Sequence, residues 1–100
     1  MRFVVKKPGK SIVFLMRRLL YSPKGIDEKT GEMKFTRFLD SSGYPRFHLF
    51  IKESGNELIF SLHLDQKKPS YKGVPAHSGE YEGKIVEQEA ERIKSIISYE

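Results

Sequence analysis

The strongest constraint on the fold is FHLFIKESGNELIFSLHLD at residues 47–65, where two alternating runs meet at Gly55 and Asn56. A two-residue turn there, with Gly55 in the positive-φ conformation of a type II′ turn, predicts a β-hairpin. In this register one face is continuously apolar, which supports the pairing because a one-residue slip would mix the two faces. The apolar pairs are Phe47 with Leu64, Leu49 with Leu62, and Ile51 with Phe60.

The opposite face of the predicted hairpin carries most of its polar side chains. Arg46 lies opposite Asp65 and His48 opposite His63, so two of the three histidines become direct cross-strand neighbours. The same face pairs Phe50 with Ser61 and Lys52 with Ile59. This face, rather than the apolar one, is where we expect chemistry.

Three further segments have periodic patterns. Residues 1–7 predict a short strand that ends before Pro8, and residues 33–39 predict another, with either Phe35 and Leu39 or Thr36 and Phe38 facing the core. Residues 84–98 predict an amphipathic helix that starts near Gly83, with Val86, Ala90, Ile93 and Ile97 on its apolar stripe and Glu87, Glu89, Glu91, Arg92 and Lys94 elsewhere around it. Residues 22–32 and 66–82 are predicted to be polar loops.

The segment from Ser11 to Tyr21 fits two structures. A helix capped by Ser11 would place Ile12, Met16, Leu19 and Leu20 on one face, whereas the run IVFLM also fits a buried strand. We favour the helix. The complete pattern predicts one α+β domain over residues 1–100, an antiparallel sheet of three to four strands with an N-terminal helix and a C-terminal amphipathic helix packed on it.

Composition excludes several classes of protein. The chain has no cysteine, which removes disulfides, thiolate metal sites and cysteine nucleophiles. No apolar run approaches the roughly 20 residues of a membrane-spanning helix, so no membrane partner is expected. The N-terminal stretch MRFVVKKPGK lacks a signal-peptide pattern, and we therefore expect a cytoplasmic protein.

The chain has a net charge of +5, and its positive charge is concentrated in two segments. Residues 1–24 carry seven basic side chains and no acid, and residues 66–78 add three lysines, again without an acid. The asymmetry fits an anionic partner, although it also fits two complementary surfaces of a single fold.

Basic residues interleaved with aromatic ones favour a non-enzymatic module that binds RNA or single-stranded DNA. Aromatic rings would stack on bases while lysine and arginine contact phosphates. The predicted contacts lie on the polar hairpin face and in the basic loop that follows it: Arg46, His48, Lys67, Lys68, Tyr71 and Lys72.

Two alternatives stay open. His48, His63 and Asp65, joined by His77, have donor types that suit zinc, and such a site would support a metal-binding protein or a metal-dependent hydrolase. Against it, the chain has neither HExxH nor a tight HxH spacing. A protein–protein interaction domain is the other alternative, which no motif indicates but which is common among small domains without catalytic motifs. Under each of these hypotheses we expect the long polar loop at residues 66–82 and the adjacent histidine face to be involved.

Overall fold

The structure is a computed structural model, which describes residues 1–66 and 79–100. Within these residues lie two helices and five strands, so the α+β class is confirmed while the sheet is wider than the three to four strands predicted. The elements in chain order are β1 (Arg2–Lys6), α1 (Ile12–Arg18), β2 (Ser22–Ile26), β3 (Met33–Phe38), β4 (Arg46–Ser54), β5 (Glu57–Asp65) and α2 (Gly79–Ser98).

The β4–β5 hairpin has the predicted register from end to end. Phe47 pairs with Leu64 and His48 with His63, and Gly55 has a φ of 59° at the turn. Around this hairpin the sheet is antiparallel throughout, in the order β1-β5-β4-β3-β2. The hairpin therefore forms the centre of the sheet, and β1 and β2 form its two edges.

Both helices cover the same face of the sheet. Every second residue of β4 and β5 is buried there together with the apolar sides of α1 and α2, in one core. The core residues are Phe3, Ile12, Leu15, Met16, Leu19, Tyr21, Phe35, Phe47, Leu49, Ile51, Leu58, Phe60, Leu62, Ala90, Ile93 and Ile97. The opposite face of the sheet is left without a covering helix among the described residues.

Strand β2 corrects the prediction that residues 22–32 form one loop. Its sequence, SPKGI, has no apolar alternation and is exposed throughout, so composition gives no sign of a strand. Pairing with β3 holds it in place, with an irregularity between Pro23 and Gly25. Residues 27–32 form a turn, in which Asp27 accepts hydrogen bonds from the backbone N–H groups of Lys29 and Thr30.

Strand β3 resolves the two predicted registers. Phe35 is buried in the core opposite Leu49, whereas Leu39 lies beyond the end of the strand and is exposed. Thr36 is also buried, although it lies on the opposite face between its cross-strand neighbours Ser22 and His48. Each predicted pair thus contains one buried and one exposed residue.

Helix α1 is capped by Ser11 as predicted, since the Ser11 hydroxyl accepts a hydrogen bond from the Phe14 N–H. The helix ends at Arg18 rather than Tyr21. Leu20 adopts a φ of 70°, and the Tyr21 N–H donates to the carbonyl of Met16. This is the hydrogen-bond pattern of a Schellman C-cap. Leu20 is therefore exposed, and the prediction that it lies on the apolar face is wrong.

Helix α2 begins at Gly79, one turn before the predicted start at Gly83. Its apolar stripe is as expected, because Ala90, Ile93 and Ile97 are buried and Val86 is partly buried. None of the helices in the described ranges is both long and apolar enough to cross a membrane.

The Leu20 conformation leads to a stability prediction. Left-handed backbone is costly for a residue with a Cβ, and the side chain is 69% exposed, so little packing offsets the cost. Leu20→Gly should raise the free energy of unfolding by about 1 kcal/mol. Urea denaturation measures this change. Leu20→Ala is the matched control, because it keeps the Cβ and should give no comparable gain, and equal gains from both variants would contradict the prediction.

Candidate functional site

The uncovered side of the sheet, which we call the open face, gathers side chains from at least four strands. Because paired residues project to the same side, the strand registers identify its members. They are Arg2, Val4 and Lys6 of β1, Lys34, Thr36 and Phe38 of β3, Arg46, His48, Phe50, Lys52 and Ser54 of β4, and Glu57, Ile59, Ser61, His63 and Asp65 of β5.

Two aromatic rings lie on the open face, Phe50 near its middle and Phe38 at its end, opposite Arg46. Phe38 is 47% exposed, and the Lys24 ammonium lies 5.5 Å from the centre of its ring. Phe50, one strand away, is half-buried and meets the exposed His63 ring edge-on at 6.0 Å between centroids. The face therefore offers flat apolar surface directly to solvent.

Basic side chains surround these rings. Lys34 of β3 lies directly opposite Phe50, and Lys52 lies two residues after Phe50 on β4. On the other side of Phe50, its partner Ser61 of β5 pairs in turn with Arg2 of β1. Lys6 and Arg46 lie toward opposite ends of the face. The acids paired into the same registers are Asp65 and Glu57, and Glu57 is located beside the hairpin turn. Charge on this side of the sheet is mainly positive.

Asp65 and Glu57 are the acids of the open face, and Asp65 lies beside two basic residues, His48 and Arg46. His48 Nε2 lies 2.7 Å from Asp65 Oδ2, and Arg46 Nε lies 3.7 Å from the same oxygen. The Arg46 guanidinium also stacks over the Tyr44 ring at 4.5 Å. These contacts counter the Asp65 charge locally, so that it opposes a bound anion less than an isolated carboxylate would.

The predicted pairing of His48 with His63 is present, but the two rings have different surroundings. His48 contacts Asp65, whereas His63 packs against Phe50. Among the side chains that the structure describes, no three of His, Asp or Glu converge on a site that could hold a metal ion. A zinc site would need His77, which lies outside the described residues, and that hypothesis stays a prediction.

The predicted binding residues divide into two groups. Arg46 and His48 lie together on the open face. The others follow β5 in the sequence and lie outside the described residues, so their place in the surface stays a prediction: Lys67, Lys68, Tyr71 and Lys72.

A buried polar network on the covered face was missed by the sequence interpretation, which placed Glu89 away from the apolar stripe. Glu89 is only 4% exposed and accepts hydrogen bonds from Tyr21 Oη at 2.6 Å and Arg37 Nη1 at 3.1 Å. Arg92 donates to both carboxylate oxygens, at 2.7 and 3.0 Å, and also to the Leu19 carbonyl at 2.6 Å. The network joins α2 to β3 and to the end of α1.

This network changes the protonation behaviour of its members. Burial, reinforced by the hydrogen bond to Glu89 and its charge, raises the pKa of the Tyr21 phenol well above the ordinary value. The hydrogen bonds to Glu89 raise the pKa of the Arg92 guanidinium. A helical position three residues after Val86 and four before Ile93 lies on the buried stripe, and this spacing could have identified Glu89.

The open face, rather than the Glu89 network, is the candidate site. Both Glu89 oxygens already accept hydrogen bonds from within the fold, and the carboxylate is buried, which suits a structural role. Comparison with protein-family models, curated protein sequences and solved structures finds no significant match.

The Tyr21 pKa predicts a pH-dependent stability. Because the folded state raises this pKa above about 10, unfolding in alkali releases a proton, and the stability contributed by the neutral phenol is lost as pH rises from about 10 toward the folded pKa. Tyr21→Phe should cost about 1–2 kcal/mol at neutral pH, and its deficit relative to the wild type should shrink between about pH 9 and pH 11.

Urea denaturation at each pH measures the deficit. Tyr99→Phe is the control, since Tyr99 is 87% exposed at the end of α2 and should show no pH-dependent deficit of this kind. A Tyr21→Phe deficit that stays constant through this pH range would contradict the prediction.

Proposed function

We propose that this protein is a non-enzymatic module that binds single-stranded nucleic acid across the open face. The observation that supports the proposal most directly is the position of both helices, which pack on the other side of the sheet and leave Phe38 and Phe50 uncovered among basic side chains. Had α1 covered Phe50, the aromatic residues would be explained as core. No element of the described residues covers them, which supports a role in binding a ligand.

Single strands fit this surface better than a duplex does. Exposed aromatic rings bind nucleic acid by stacking on bases, and bases are free to stack on a protein only when they are unpaired and splayed. Phe38 and Phe50 would take this role, with His63 extending the stacking surface next to Phe50. Stacking accepts every base, so little sequence preference is expected from these contacts.

The surrounding basic side chains would contact the phosphates. Lys34 and Lys52 flank Phe50 on its own and the neighbouring strand, so that a backbone crossing the ring would pass both of them. Arg46, held over Tyr44 and beside Asp65, would provide a fixed cation rather than a mobile one. The lysines that follow β5, Lys67, Lys68 and Lys72, together with Tyr71, are included in the proposal from sequence alone.

The first test compares two exposed phenylalanines. Phe38→Ala should weaken binding of a fluorescein-labelled twelve-nucleotide oligouridylate or oligothymidylate by about 1–3 kcal/mol, the usual value of one stacked base. Fluorescence anisotropy at fixed salt measures the affinity. Phe14→Ala is the matched control, because Phe14 is 40% exposed and also lies near a lysine, at 5.3 Å, but belongs to α1.

Equal losses in the two variants would contradict a site on the open face. Undetectable binding of the wild type to both oligonucleotides at low salt would contradict the proposed function itself.

The second test concerns the phosphate contacts. Each basic residue that contacts a phosphate of a single strand should contribute about 0.7 to the slope of the logarithm of affinity against the logarithm of salt concentration. Lys34→Gln and Lys52→Gln should each reduce the slope by about that amount. Lys29→Gln, in the turn between β2 and β3, is the charge-matched control and should leave the slope unchanged, so an equal reduction by all three variants would indicate a general charge effect.

A further inference from the structure

The two edges of the sheet differ in how open they are to another strand. Edge strands of native proteins are commonly protected by proline, bulges or irregular backbone. β2 has such protection, with Pro23 lacking an N–H and an irregularity before Gly25. β1, with the sequence RFVVK, contains neither proline nor glycine and pairs with β5 without a register shift. The β1 edge is the regular one.

The hydrogen bonds at the ends of β1 show which backbone groups point outward. Met1 exchanges hydrogen bonds with Leu62, and the Lys7 N–H donates to the Asn56 carbonyl. In an antiparallel ladder alternate residues bond to the partner strand, so the odd-numbered residues of β1 bond to β5. The N–H and C=O groups of the even-numbered residues point away from the sheet, and no described strand pairs with them: Arg2, Val4 and Lys6.

Helix α2 runs beside β1 and leaves a groove between them. A cavity of about 370 Å³ lies near the start of both elements, lined by Met1, by Gly83, Val86 and Glu87 of α2, and by Leu62, His63 and Leu64 of β5. A second cavity of about 440 Å³ lies at their ends, lined by Val5 and Ile97 among others. An edge strand next to a helix, with space between them, is the arrangement that binds an extended peptide by strand addition.

Charge indicates what kind of strand would fit. Arg2 and Lys6 project from β1 on the open face, where Lys6 pairs with Glu57 of β5. The second cavity, on the covered side, is lined by Lys7, Lys94 and Glu100 as well as by the apolar Val5 and Ile97. A second copy of the chain added antiparallel about Val4 would place Arg2 opposite Lys6 twice, and like charges directly opposite one another are destabilising. An acidic strand would meet complementary charge at the same positions.

We propose that the β1 edge binds an extended acidic segment of a partner protein as a sixth strand of the sheet. Alternate side chains of the segment enter the groove toward Val5, Val86 and Ile97 and are apolar. The intervening side chains lie beside Arg2 and Lys6 and are acidic. The main-chain groups of Arg2, Val4 and Lys6 supply the ladder hydrogen bonds.

The probe is a synthetic seven-residue peptide of alternating glutamate and valine with blocked ends, added to the protein without nucleic acid. Hydrogen exchange followed by NMR should show the amides of Arg2, Val4 and Lys6 exchanging rapidly in the free protein and at least roughly tenfold more slowly at saturating peptide. The Phe3 and Val5 amides, already bonded to β5, should change far less. A peptide of alternating lysine and valine should have no such effect.

The variant test uses Val4→Pro. Because the Val4 N–H points outward, proline removes a donor to the added strand and no hydrogen bond to β5, and an edge position of this kind tolerates proline. Peptide affinity should fall by roughly tenfold or more. Val4→Ala keeps the N–H and should bind the peptide nearly as the wild type does. Circular dichroism and urea denaturation establish that both variants are folded.

Several results would overturn the proposal. The acidic and basic peptides could bind equally well, or folded Val4→Pro could bind the acidic peptide as tightly as the wild type does. The third such result is exchange of the Arg2, Val4 and Lys6 amides at the same rate with and without the acidic peptide. Protection of these amides that grows with protein concentration in the absence of peptide would assign the edge to a second copy of the chain instead. None of these results bears on the open-face proposal, because Phe38 lies on β3, which β5 and β4 separate from the β1 edge.

Discussion

The pairing of β4 with β5 is the interaction on which the remaining structure depends. It supplies the two central strands, and its register decides which side chains reach each face of the sheet. With Gly55 at the turn, Leu49, Ile51, Phe60 and Leu62 all project to one side, where the helices bury them. A slip of one residue would mix the two sides, placing His48 and Phe50 of β4 on the same face as Phe60 and Leu62 of β5. The core and the open face are therefore two consequences of one alignment.

The Glu89 network determines where the helices lie on the sheet. Apolar contact alone has little directional preference, whereas a buried carboxylate has to be matched by donors in particular positions. Tyr21 follows α1, Arg37 belongs to β3, and Arg92 lies one turn after Glu89 on α2. The four residues can meet only when both helices are on the same side of the sheet. That placement leaves the opposite side without a covering helix among the described residues.

The sequence was most informative where a hydrophobic pattern and a turn agreed. The hairpin register, the Ser11 cap and the apolar stripe of α2 were predicted correctly, because local chemistry and long-range packing favour the same structure there. β2 was not predictable in this way, since an exposed edge strand containing Pro23 and Gly25 is held by its neighbour rather than by its own composition.

Two residues were misassigned for a different reason. Leu20 was predicted to share the apolar face of a helix through Tyr21, and Glu89 to lie away from the apolar stripe of α2, and both placements were wrong. Leu20 is turned outward by the left-handed cap, and Glu89 is buried because two arginines and a tyrosine surround it. For the candidate surface, the pairing of His48 with His63 could be predicted from the hairpin alone. Phe38 could not be assigned to the open face until the β3 register was known.

The two proposed sites share side chains, so binding at one site should affect binding at the other. Arg2 and Lys6 belong to the rim of the open face and also flank the outward edge of β1. An acidic strand added at that edge would bring negative charge next to cations that would otherwise attract phosphates. Binding of a partner segment and of a single strand would then oppose each other, and linkage requires each to weaken the other by the same factor. The coupling should be modest, since Lys34, Lys52 and Phe50 lie on β3 and β4, away from the shared edge.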